Sequence, residues 1–140
     1  SYTPDYLGHH GALEQFSISS SLYLGGAHGS GGTTYHVFDE QDHRLTLADL
    51  LQGDKSALYP LLDAAYKKEV NFDPAAKDLE DYEREYVKTL HEADNFYFSA
   101  DGVVFSYVPY AVNSYAAGQV EITLPYDKLR GIIKDKYLPQ

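Results

Sequence analysis

Cysteine, methionine and tryptophan are all missing from the 140 residues. Without cysteine there is no disulfide scaffold, no thiolate nucleophile and no sulfur-ligated metal. No run approaches the ~18 apolar residues of a membrane span. Positive charge is scarce: 11 Lys and Arg face 21 Asp and Glu, a formal charge of −10. That sign excludes a phosphate-tracking nucleic-acid binder, which needs a basic stripe, and favours a basic partner through long-range steering. The scarcity is also uneven. No Lys or Arg occurs from Ser1 to His43, and none from Thr89 to Asp127. An initiating Met and a signal-like stretch are absent as well, so a leader or anchor is expected upstream of Ser1.

What is present is a globular composition, 44% hydrophobic and 14% aromatic, with 14 tyrosines. Tyrosine buries its ring and keeps its hydroxyl wet, which suits sheet faces and contact surfaces. A chain of this length is most simply one domain with its own core.

Along the chain, residues 1–12 show no apolar rhythm and are expected to form an irregular N-terminal arm, leaving 13–140 as the folded domain. Phe16, Ile18, Ser20, Leu22 and Leu24 then alternate with Gln15, Ser17, Ser19, Ser21 and Tyr23, the period of a half-buried strand with one apolar face. A glycine-rich run, Gly25 to Gly32, separates it from a β-branched and aromatic strand over Thr34 to Asp39, and the two are expected to pair antiparallel. Leu58, Leu61, Leu62, Ala65 and Val70 recur at helical spacing, with Pro60 tolerated in the first turn. A second helix is expected from about Asp78, its stripe formed by Leu79, Tyr82, Tyr86, Val87 and Leu90. Asp101-Gly102 between apolar runs is a strong hairpin signal. Pro109 ends that strand. Val120, Ile122 and Leu124 mark a last strand before a closing helix. The expectation is an α+β single domain, an antiparallel β-sheet with two to three helices packed on one face, in the order β-β-α-α-β-β-β-α.

Motifs for chemistry are weak. His28-Gly-Ser-Gly-Gly32 lacks the leading glycine of a nucleophile elbow and lies in a hairpin loop. The glycine run has no following Lys-Ser/Thr for phosphate. His28, His36, His43, Asp39 and Asp42 lie close in sequence but on different elements, without a metal-ligand spacing. The carboxylates of Asp78 to Glu85 read as a solvated helix face. No catalytic residue, metal or cofactor is expected. The better candidates are two loops: His28 in the glycine run, and Tyr107, Tyr110, Asn113 and Tyr115 between the last two strands. Large rings beside small residues make recognition surfaces at low entropic cost.

Five segments carry a resemblance: Gly25-Gly-Ala-His-Gly29, Val37-Phe-Asp with Leu45 to Leu51, Phe98 to Tyr110, Ser114 to Gly118, and Val120 to Leu129. Together they resemble the domain of unknown function at the C-terminus of the anti-sigma factor RsiV, found also beside the catalytic domain of the peptidoglycan deacetylase PdaC. The resemblance runs from about Phe16 to Ile132. The family commonly continues its Gly-Gly-Ala-His motif with proline and asparagine; here Gly29-Ser30-Gly31 follows. The resemblance implies an extracytoplasmic, non-catalytic recognition domain of the bacterial cell envelope, from a lipoprotein or another exported parent. Its implied partner is lysozyme or a similar basic protein. The alternative it implies is a peptidoglycan- or glycan-binding accessory module, and an uncharacterised hydrolase comes third.

Overall fold

The computed structural model describes residues 2–23, 29–73, 80, 86–109, 111–112 and 118–139. It is an α+β domain with two antiparallel three-stranded sheets. The first joins β1 (Tyr2–His10), β2 (Leu13–Tyr23) and β3 (Gly29–Phe38) in chain order; the second joins β4 (Phe96–Phe98), β5 (Gly102–Tyr107) and β6 (Val120–Pro125). Between them lie α1 (Leu47–Leu50), a 3-10 turn over Lys55–Leu58, α2 (Tyr59–Glu69) and α3 (Val87–Glu92). After β6 come α4 (Tyr126–Leu129) and a 3-10 turn over Asp135–Tyr137. All six strands fall inside the two stretches that lack Lys and Arg.

The expected pairing of the strands on either side of the glycine run holds, with Phe16 opposite His36 and Ile18 opposite Thr34. The segment expected as an irregular arm is instead β1, paired with β2 from Tyr2↔Ser20 to His10↔Leu13 around Gly11, whose φ is 56°. It carries no apolar rhythm because Pro4 to Leu7 are exposed, so alternation had nothing to mark. Pro4 and the register shift at Leu7 are ordinary guards of an edge strand.

The Asp-Gly hairpin is present, with Phe98 opposite Val103. Its tip is Ala100-Asp101, closed by the Ser99 N–H on the Gly102 carbonyl at 2.8 Å. Gly102 is the first strand residue, needed small because a Cβ there would collide with the Leu124 carbonyl oxygen. Every residue of β5 is buried, so this strand is covered on both faces. Leu62 and Tyr66 of α2 and Leu90 of α3 join Phe96, Phe105, Ile122 and Leu124 in the core. Asp49 closes a capping box on Thr46 at the start of α1, and the Thr46 N–H holds its carboxyl below the usual carboxylate range. The start of the helix expected near Asp78 lies outside the described residues. The closing helix is a single turn, α4, ending where Arg130 goes extended (φ −61°, ψ 131°) just before the left-handed Gly131 (φ 79°).

Candidate functional site

β2 is turned opposite to what its composition suggests. Leu13, Gln15 and Ser17 are buried, while Glu14 and Phe16 face outward. The polar face is the covered one because it meets the second sheet through hydrogen bonds. Gln15 donates from Nε2 to the Phe98 carbonyl (3.0 Å) and accepts the Phe98 N–H at Oε1 (2.7 Å). Asn95 accepts the Tyr35 N–H (2.7 Å) and donates to the Thr33 carbonyl (3.1 Å). Gln119 accepts the Thr33 N–H and donates to its carbonyl, both at 2.7 Å. Each side-chain amide takes the part of a peptide group and satisfies a strand edge that would otherwise be buried unpaired.

In the same joint, Glu121 accepts hydroxyls from Tyr35 (2.9 Å) and Ser106 (3.0 Å). The Tyr35 and Tyr97 rings lie 4.3 Å apart, and burial first, then Glu121, raises both phenols above their ordinary value. Protonated phenols sharing one carboxylate tie the two sheets together here.

Pointing the amide face inward leaves the aromatic face uncovered among the described residues. Tyr6 (58% exposed) sits opposite Phe16 (37% exposed), with ring centroids 5.4 Å apart. Phe38 follows on β3, its ring edge-on to Phe16 at 6.0 Å. Glu14 lies between these strands, opposite Phe38, and accepts the Tyr6 hydroxyl at 2.5 Å, which raises the Tyr6 phenol. Asp39 caps the following turn, its Oδ1 accepting the N–H groups of Gln41 and His43 at 2.9 Å. Asp42 occupies that turn with φ 60°. Glu14, Phe16, Phe38, Asp39 and Asp42 enclose a notch of about 360 Å³. Around the turn, Asp39 also borders a cavity of about 710 Å³ reached by His10, Glu40, Ser99 and Lys136. The His10 ring is fixed there, stacked on Phe98 at 4.4 Å, with Nε2 2.6 Å from the Tyr137 carbonyl oxygen.

Of the candidates read from the sequence, Tyr107 does not offer its ring to a ligand. It is 6% exposed, burial drives its phenol far up, and its hydroxyl donates to the Leu90 carbonyl at 2.7 Å. His28, Tyr110, Asn113 and Tyr115 lie outside the described residues. The flanks of their two loops do meet: a Cβ on Gly32 would press on Val108 and on the Gln119 amide. Of the residues weighed for metal, His43 is engaged with Asp49 (3.0 Å), His36 with Thr34 (3.1 Å) and Asp39 with two turn N–H groups, while His28 lies outside the described residues. Among the described residues no three His, Asp or Glu group as a metal site would, and no helix is long and apolar enough to cross a membrane. Sequence reasoning missed Tyr6, Glu14, Phe16 and Phe38 as a surface. The signal available was the stretch without Lys or Arg up to His43, although Arg44 comes next and bridges Phe38 in space.

Fold and face together define the protein as an α+β domain whose first sheet carries an aromatic, acid-rimmed surface. The family described as "Protein of unknown function (DUF3298)" matches residues 48–127, more than half of the chain, and the protein belongs to that family. Its fold is shared by a DUF3298 family protein from Pseudomonas aeruginosa PAO1, at 24% identity over 99% of this chain and a TM-score of 0.83. A member of the same family from Bacteroides fragilis NCTC 9343 is 30% identical over 96% of this chain, with a TM-score of 0.79. The chain spans 63% and 53% of the lengths of these two proteins, under two thirds of either. No functionally curated protein matches it.

Proposed function

We propose that the protein is a non-catalytic recognition domain of the bacterial cell envelope that docks a basic protein, lysozyme or one like it. The observation that carries this reading is the outward row Tyr6, Phe16 and Phe38 with Glu14, Asp39 and Asp42 around it. Exposed rings supply contact area, and carboxylates that outnumber the adjoining Arg44 supply a field for a cationic partner. The resemblance to RsiV-type domains, which are associated with sensing lysozyme, supports the choice of partner and an extracytoplasmic setting. Titration calorimetry with lysozyme at about 50 mM salt, where screening is weak, tests it. Saturable binding that weakens at least tenfold in Phe16→Ala is expected. An absence of binding at that ionic strength overturns the reading.

A second reading, a cell-wall glycan module, draws on the same observation, because sugars stack on exposed rings and take polar contacts from carboxylates. Cell-wall fragments that shift the Tyr6 and Phe16 ring signals in solution, with lysozyme leaving them unmoved, would favour it.

A further inference from the structure

We infer that the notch between β2 and β3 seats one cationic side chain of the docked partner, an arginine before a lysine. The inference rests on the basic-protein reading above and names the anchor of that contact. The floor is Phe16 and Phe38, two aromatic rings crossed at 74° with centroids 6.0 Å apart. A planar guanidinium stacks on an aromatic face and a compact ammonium does so less well. Neither ring is buried in the core: Phe16 is 37% exposed and Phe38 half-buried.

The rim is pre-ordered. Glu14 is steadied by the Tyr6 hydroxyl, and Asp39 is held through Oδ1 by two backbone N–H groups. Asp42 is set on a left-handed turn residue. Carboxylates already fixed lose little freedom when they accept a guanidinium.

Among the described residues no Lys or Arg lines the notch. Arg44, the first Lys or Arg in the sequence, directs Nη2 to the Tyr35 carbonyl at 3.5 Å. A second copy is disfavoured as well, since each copy carries −10 and brings the same acidic rim. Charge complementarity thus commits the notch to a cationic partner.

The test titrates the whole chain with Nα-acetyl-arginine N-methylamide and, in parallel, with the neutral citrulline analogue, following ring and backbone signals by NMR. The expected result is saturable shifts confined to Glu14, Phe16, Phe38 and Asp42, at least tenfold weaker for citrulline. They should be lost in the Glu14→Gln/Asp42→Asn double variant. Both changes are on exposed positions, and asparagine tolerates the left-handed turn. Equal response to citrulline, or an unchanged response in the double variant, overturns the inference. Arginine-analogue binding without lysozyme binding would sustain the notch and sink the partner. Lysozyme binding that ignores the double variant would do the reverse.

Discussion

Three amide side chains hold two sheets in register. Gln15, Asn95 and Gln119 each present a donor and an acceptor in the geometry of a peptide group, which no hydroxyl or carboxylate can do. Gln15 is the most consequential, being 4% exposed and bonded to both the N–H and the carbonyl of Phe98. Replacing it with leucine strands both groups in a dry joint, at ~1–3 kcal/mol for each. Urea unfolding of Gln15→Leu should therefore show a loss of about 2–6 kcal/mol with an unchanged m-value. A loss below about 1 kcal/mol would mean that water replaces the amide and the joint is not dry. The same residue sets the outward face, since seating Gln15 inward sends Glu14 and Phe16 outward.

At the level of elements, the first sheet is an inverted amphipath, and β3 carries a measurable consequence of that. His36 projects beside Phe16 on the outward face, half-buried, and bonds Thr34. Desolvation first, and Arg44 second, lower its pKa below 6.5. The folded state therefore prefers neutral imidazole. Its contribution to stability is complete above the unfolded value near 6.5 and is lost as pH falls through the depressed folded value. The unfolding midpoint should drop across that window in the native chain, and His36→Gln should flatten that part of the profile. A profile identical in the two proteins would show that His36 titrates freely. The helices behave more conventionally. Pro60 sits in the first turn of α2, where its missing N–H costs nothing, and Tyr66 anchors that helix by donating to the Val112 carbonyl at 2.6 Å.

For the whole molecule, charge is partitioned by architecture. Residues 1–43 hold five carboxylates and no Lys or Arg, and both sheets fall in such stretches, while the described cations lie on helices, turns and connecting segments. Association with a basic partner should therefore slow steeply as salt rises from about 0.01 to 0.15 M, as the Debye length shrinks from ~30 to ~8 Å. Dissociation should change little, a contrast that stopped-flow kinetics reads directly. Equal salt sensitivity of both rates would argue that charge acts in the bound state rather than by steering. The α+β class, the β2–β3 and β4–β5 pairings and α2 were legible because each leaves a local mark: period two, a turn dipeptide, a helical stripe. β1 was not, since an exposed edge strand needs only backbone partners. Nor was Tyr107 readable as core, because a tyrosine beside Pro109 looks the same whether its hydroxyl meets water or the Leu90 carbonyl. By itself the sequence determined which residues share a face, since alternation is geometry of the single strand. Only the tertiary structure decided which face is covered. That choice depends on what lies opposite, and here the partner offers strand-edge N–H and carbonyl groups, which amides satisfy and phenylalanine cannot.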